Sequence, residues 1–213
     1  MPGDTRRITR TILVATTNPG KIAELRAMLD AEVEWVGLSD LPPAPEVEED
    51  GRTFAENARK KATVYAKATG LWTLSDDSGL VIDALGGQPG VRSARFAGVE
   101  GPDRKTVDRR NIEKVLHLLH DVPPAQRTAH FVCHLCMASP GRVLIEASGT
   151  LEGRIIDTPL GDNGFGYDPI FWVPSLGKTV AQLGSEEKNA ISHRGNAIRK
   201  LKPMLRELLA VTG

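Results

Sequence analysis

A continuously apolar, β-branched run, Thr11-Ile12-Leu13-Val14-Ala15, passes directly into Thr16-Thr17-Asn18-Pro19-Gly20-Lys21 and then into a helical pattern. This unit constrains the fold of the 213-residue chain more than any other feature. The run reads as a buried strand, and Ile22, Leu25, Met28 and Leu29 recur at helical spacing. Asn18 and Pro19 are residues that a helix start favours. A turn between a buried strand and a helix start offers backbone N–H groups, and Lys21 adds a cation, which together suit a phosphate. The turn is not a P-loop, because that spacing needs Lys followed by Ser or Thr, and Ile22 follows Lys21. A tight turn with an exposed lysine explains the same residues without a ligand.

The rest of the chain extends this unit into an α/β protein. A short strand is expected at 33–37, then a proline-rich acidic loop, Leu41-Pro42-Pro43-Ala44-Pro45-Glu46-Val47-Glu48-Glu49-Asp50-Gly51. Thr53-Phe54-Ala55-Glu56 is a capping box that opens a helix running to about Thr69, stopped by Gly70. Short strands at 73–75 and 80–82 are expected to meet at the turn Ser75-Asp76-Asp77-Ser78-Gly79. A helix over roughly 103–120 carries Val107, Ile112, Val115, Leu116 and Leu119 as its buried stripe. Strands at 128–138 and 143–156, joined by Ser139-Pro140-Gly141-Arg142, read as a hairpin. A Gly-rich loop leads to a strand at 170–173, and a last helix starts near Ser192, with Pro203 expected to kink it. With no internal repeat or long linker, residues 1–213 read as one domain of two merged lobes, with a flexible start at 1–10.

Composition narrows the function. Lys plus Arg and Asp plus Glu number 27 each, so no global field draws a polyanion such as DNA, and a phosphate ligand has to be held locally. The longest apolar runs are too short to span a bilayer, and the N-terminal stretch lacks a signal peptide's apolar core, which points to the cytoplasm without membrane or nucleic-acid partners. Cys133 and Cys136 imply no disulfide framework. Residues three apart in a strand face opposite ways, so this pair is not a zinc or redox site. His130 and His134 share a face and read as a half-exposed strand surface.

Several residues carry chemistry or a structural role equally well. Asp76 and Asp77 in a Gly-terminated turn repel unless a cation sits between them, and magnesium prefers one or two carboxylates plus phosphate oxygens; as plain turn formers they need no metal. Glu48, Glu49 and Asp50 lie where a second metal carboxylate could come from, or form a solvated run. On a helical wheel Glu56 lies opposite the apolar sector of Phe54, Ala58, Ala62 and Tyr65, so it is a cap; Asn57 and Lys61 lie at the sector's edge. Lys61 either snorkels to water or points its charge into a cleft. Phe165 and Tyr167 between glycines offer rings for stacking a base, or simple loop anchors. Lys188, His193 and Arg194 cluster at a helix start, where cations oppose the dipole; an anionic ligand, or solvation around a Ser192 cap, would resolve that.

Taken in order, Thr16-Thr17-Asn18-Pro19-Gly20-Lys21, Gly51-Arg52-Thr53-Phe54-Ala55-Glu56-Asn57-Ala58, Ser75-Asp76-Asp77-Ser78-Gly79-Leu80, Phe165-Gly166-Tyr167-Asp168-Pro169 and Ser192-His193-Arg194 resemble the inosine triphosphate pyrophosphatase family, in its bacterial XTP/dITP diphosphatase form. The resemblance runs from Ile12 to about Leu209. It implies an elongated α/β fold of two lobes with a mixed sheet and a central cleft, working as a magnesium-dependent homodimer on aberrant purine nucleoside triphosphates. It also implies that Thr16, Asn18 and Lys21 hold the triphosphate, that Glu49 and Asp77 bind the metal with Asp76 as a further candidate, and that Asp77 is the general base. Lys61 then faces substrate phosphate and Ser78 contacts the nucleotide. Phe165, Gly166, Tyr167 and Asp168 frame the base, and Lys188, His193 and Arg194 complete its pocket, with Arg194 the candidate donor to a 6-keto oxygen. The rival expectations are a pyrophosphatase for pyrimidine or modified nucleotides and a nucleotide-binding regulator without catalysis.

Overall fold

The computed structural model describes residues 10–29, 33–98 and 103–212. The expected flexible start at 1–10 therefore lies, Arg10 apart, outside the described residues. The apolar run forms strand β1 (Thr11–Ala15), followed by helix α1 (Pro19–Met28). Asn18 caps α1, its side-chain oxygen accepting from the N–H groups of Gly20 and Lys21. Strand β2 (Glu34–Gly37) follows, and then the irregular acidic stretch leads to α2 (Phe54–Thr69). Thr53 Oγ1 accepts from Glu56 N at 3.1 Å, while the Glu56 carboxylate accepts from Arg52 N, one residue earlier than in a standard capping box. Gly70 closes the helix with a φ of 73°, a left-handed geometry that suits glycine.

The acidic pair does not sit in a turn. Residues Trp72–Ile82 form one continuous strand, β3, which replaces the two short strands expected on either side of Asp76 and Asp77. Every residue from Thr73 to Ile82 finds a partner on the long antiparallel neighbour β4 (Thr128–Ser139), so the ladder satisfies the backbone that a turn would have left open. Helix α3 (Arg104–Leu118) lies between β3 and β4 in the chain, and strand β5 (Arg142–Ile155) completes the hairpin. The short β6 (Phe171–Val173) and β7 (Lys178–Thr179) finish a seven-stranded sheet of order β2-β1-β3-β4-β5-β6-β7. β1 runs parallel to β2 and β3, and the remaining pairs are antiparallel.

Two helices end the chain. α4 (Ser185–Ile191) was not expected, and α5 (His193–Thr212) is helical through Pro203. The helices divide between the two faces of the sheet. Ala58, Ala62 and Ala66 of α2, all fully buried, lie against Cys136 and Ala138 on one face, the small side chains letting the helix lie close. On the other face Leu135 and Met137 of β4 meet Leu25 of α1 and Ala197, Ile198, Leu201 and Leu205 of α5. Cys133 belongs to this second cluster and Cys136 to the first, so the two thiols face opposite ways, as the strand reading required. A third cluster lies toward the far end of the sheet, where Ile112 and Val115 of α3 and Leu119 just past its end pack with Leu80, Ile82, Phe131 and Phe171.

Candidate active site

The strand alternation of β3 divides the two aspartates. Ser75 and Asp77 point to the α2 face: Ser75 Oγ donates to the Ala58 carbonyl at 2.6 Å, and Asp77 Oδ1 lies 3.6 Å from Lys61 Nζ. Asp76 and Ser78 point to the α5 face, where Arg194 Nε lies 2.7 Å from Asp76 Oδ2 and Arg194 Nη2 donates to Ser78 Oγ at 2.8 Å. Neighbours in sequence thus serve different surroundings.

A single cleft of about 300 Å³ collects nearly every residue singled out from the sequence. Thr16, Asn18, Lys21, Glu49, Lys61, Asp77 and Ser78 line it, together with Phe165, Gly166, Tyr167, Asp168, Lys188, His193 and Arg194. Asp76 does not, being committed to Lys21 Nζ at 2.5 Å and to Arg194. Despite burial, the cations that face both of its oxygens hold its pKa well below the usual carboxylate range.

Asp77 has the opposite environment. Burial pushes its pKa up to about 6, a rise that the charges of Lys61 and Lys21 reduce and that of Glu49 adds to. Its Oδ2 is buried without a hydrogen bond of ordinary geometry, and the Asn57 amide nitrogen, equally without one, lies near enough to lower the Asp77 pKa a little. Lys61, the wheel-edge lysine, turns inward. Its ammonium meets Glu49 Oε1 at 2.7 Å and donates to the Asp76 carbonyl at 2.8 Å; burial works to lower its pKa, but the charges of Asp77 and then Glu49 outweigh it and raise it. An orphaned carboxylate oxygen, with a second carboxylate held by the same lysine, fits a hard divalent cation that takes one or two protein oxygens.

At the other end of the cleft, Lys188 of α4 and Arg194 at the α5 start pair with carboxylates of the protein. Lys188 Nζ lies 2.7 Å from Glu24 Oε1 and 2.7 Å from Asp168 Oδ2, and Arg194 Nη1 pairs with Glu24 Oε2. Lys21, Asp76, Arg194, Glu24, Lys188 and Asp168 therefore form one buried chain of alternating charge. The candidacy of Arg194 as a free donor to a 6-keto oxygen narrows accordingly, since all three of its nitrogens already donate to Asp76, Glu24 or Ser78. His193 is different. Burial, then the charge of Arg194, pushes its pKa well below the usual range and keeps the imidazole neutral; it stacks on Phe131 with centroids 4.8 Å apart, and its Nδ1 has no partner.

The aromatic loop is held from several sides. Asp168 Oδ2 accepts from Phe165 N, the Asp108 carboxylate accepts from Gly166 N, and the Tyr167 hydroxyl donates to the Ser93 carbonyl. Tyr167 is itself buried, so it anchors the loop, whereas Phe165 lies under the Lys188 ammonium, 4.6 Å from the ring centre. Gly149 of β5 brings the α5 start this close. A Cβ there would stand 2.3 Å from the His193 carbonyl oxygen and 2.4 Å from Ala197 N.

Sequence reasoning missed Glu24, Arg95 and Asp108. Glu24 had a readable signal, since it lies three residues after Lys21 and shares its side of α1. Asp108, which lines the cleft, and Arg95, which contacts the lining residue Glu49, come from segments distant in sequence, and only the fold brings them there.

Fold and cleft together define a class, that of mixed α/β enzymes whose cleft sets lysines and a carboxylate oxygen without a hydrogen bond against an aromatic end. The chain belongs to the Ham1 family, whose model matches residues 12–204. It is 50% identical over 195 residues to the dITP/XTP pyrophosphatase of Geobacter sulfurreducens, covering 91% of this chain and 96% of that protein. It is 47% identical over 203 residues to the dITP/XTP pyrophosphatase of Geobacillus kaustophilus, covering 95% and 97%. Among solved structures, a HAM1 protein from Coxiella burnetii superposes with a TM-score of 0.83 at 42% identity, covering 93% of this chain and all of that one. The Staphylococcus aureus Ham1 protein does so with 0.81 at 43% identity, covering 93% and 99%.

Proposed function

We propose that this protein hydrolyses noncanonical purine nucleoside triphosphates such as dITP, XTP and ITP to the monophosphate and pyrophosphate. The relatives' names support the substrate class, and the environment of Asp77 carries the mechanism. In this reading water attacks the α-phosphorus in line with the departing pyrophosphate. Asp77, whose carboxylate lines the cleft, accepts the water's proton. Lys61 and Lys21 offset charge on the phosphates, while Thr16 and Asn18 place the triphosphate at the start of α1. Glu49 and Asp77 would hold magnesium, which when bound polarises phosphate oxygens and steadies the leaving pyrophosphate. Asp76 and Glu24 hold Arg194 and Lys188 in place; Ser78 contacts the nucleotide, and Phe165, Gly166, Tyr167 and Asp168 frame the base beside His193.

A single domain over 1–213, a homodimeric assembly and a cytoplasmic setting belong to the same proposal. The first is supported by one continuous sheet, and the last by the absence, among the described residues, of any helix long and apolar enough to cross a membrane. Turnover of ITP, XTP, dTTP and UTP, read as pyrophosphate release, tests it. ITP and XTP are expected to be hydrolysed fastest, and Asp77→Asn to lower that rate by roughly 10²–10⁴-fold. Fast dTTP or UTP turnover beside slow ITP and XTP would move the protein to pyrimidine nucleotides. Unchanged turnover in Asp77→Asn would remove the aspartate from the chemistry, and binding without turnover of any of the four would make the protein a regulator.

A further inference from the structure

The stretch 41–53 contains neither helix nor strand, yet it brings Glu46, Val47 and Glu49 to the cleft. Its downstream end is tied to α2, through Gly51 N donating to Asn57 Oδ1, Arg52 N to Glu56 and Lys60 to Asp50. Glu49 is also reached from elsewhere in the fold. Arg95 Nη2 donates to the Glu49 carbonyl at 2.7 Å, and Arg95 Nη1 lies 3.9 Å from Glu49 Oε2. The other carboxylate oxygen, Oε1, takes Lys61. Glu49 is thus gripped at backbone and side chain by two cations from two different elements.

Arg95 is well founded for such a grip. It ends the 3-10 helix Gly90–Arg95, which is fastened at several points. Ser93 Oγ donates to the Gly90 carbonyl and accepts from Leu80 N, tying the segment to β3. Asn111 of α3 donates to the Ser93 carbonyl and accepts from Ala97 N, and Tyr167 donates to the same Ser93 carbonyl. A half-exposed ion pair alone would contribute little, about 0–1 kcal/mol. The carbonyl bond distinguishes this contact, because it fixes the direction of the backbone from which the Glu49 side chain leaves.

We propose that Arg95 is a positioning residue: its guanidinium sets the backbone and carboxylate of Glu49, and thereby the affinity of the cleft for a divalent cation. The proposal rests on Glu49 being a metal carboxylate. The shape of arginine matters here, since its guanidinium hydrogen-bonds the Glu49 carbonyl through one nitrogen while its charge stays beside the carboxylate, 3.9 Å away. Partners that orient a ligand in this way typically alter metal affinity by about 10–100-fold.

The test is Mn²⁺ binding to the substrate-free full-length protein, measured by calorimetry for the parent, Arg95→Ala, Arg95→Lys, Glu49→Gln and the Arg95→Ala/Glu49→Gln double variant. Arg95→Ala is expected to weaken Mn²⁺ binding about 10-fold, with Arg95→Lys in between, and the double variant to bind as Glu49→Gln does. The metal concentration for half-maximal turnover should rise by the same factor. Unchanged binding in Arg95→Ala and Arg95→Lys, beside weakened binding in Glu49→Gln, overturns the role of Arg95 and leaves the metal reading standing. Unchanged binding in Glu49→Gln overturns the metal reading and the inference with it. A further loss on adding Arg95→Ala to Glu49→Gln also overturns it, since Arg95 would then act through some other group.

Discussion

Replacing Asp77 with asparagine is expected to stabilise the metal-free protein while removing its chemistry. The carboxylate is buried, one oxygen lacks a hydrogen bond of ordinary geometry, and its pKa rises from an ordinary 3.8 to about 6 even with Lys61 3.6 Å away. The folded state therefore holds the Asp77 proton more tightly than the unfolded chain does. The stability this contributes is fully present below about pH 4 and is lost as pH rises through 6. At about 1.4 kcal/mol per tenfold difference in affinity, the ionised side chain costs the native state roughly 3 kcal/mol above pH 7. Asparagine keeps the shape without the charge. Lys61 retains Glu49 and the Asp76 carbonyl, and Lys21 retains Asp76, so neither cation is stranded. Urea unfolding in the presence of a chelator should then show Asp77→Asn about 3 kcal/mol more stable at pH 7.5, and about half as much at pH 5. Magnesium at ten times its Kd should return about 1.4 kcal/mol to the parent and nothing to the variant. A variant no more stable than the parent, or a gap equal at both pH values, would refute the argument that burial of the ionised Asp77 carboxylate costs the folded state stability.

Two further substitutions probe the frame around the cleft. Glu24→Gln leaves Arg194 and Lys188 with one carboxylate fewer in a buried chain, and a loss of about 3–5 kcal/mol in chemical denaturation is expected from the uncompensated charge. Gly149→Ala drives a methyl into the backbone at His193 and Ala197, so α5 has to shift; a stability loss of about 1–3 kcal/mol and weaker nucleotide binding in calorimetry are expected. Parent-like values for that variant would show that α5 does not depend on this close approach.

What the sequence disclosed, it disclosed through local rules. The β1 run and the α1 start follow from apolar continuity and an Asn-Pro pair, and α2 follows from Thr53, Glu56 and Gly70, each acting within a few residues of itself. The same local view misread 72–82. Two aspartates before a glycine have turn composition, and only the pairing of ten successive β3 residues with β4, which is long-range, makes that segment extended. The site followed the same division. Asp77, Lys61 and the aromatic loop stood out by residue type and wheel position, whereas the carboxylates that pair with Lys188 and Arg194 come from α1, β3 and the aromatic loop. Arg95 resembles any surface arginine until the acidic stretch is folded against it.

The central pair of strands bears on modularity. Leu74 of β3 belongs with the apolar residues around α5, and Leu80 and Ile82 of the same strand with those around α3; β4 likewise sends Leu135 and Met137 to one group and Ala129 and Phe131 to the other. A cut between β3 and β4 leaves each of these two groups divided between the fragments. Either half expressed alone would expose a strand edge and half a set of apolar partners. Recombination between relatives therefore has to exchange β3 and β4 together, as a shared spine, because a crossover between them would pair side chains selected in different proteins on both sides of the sheet at once.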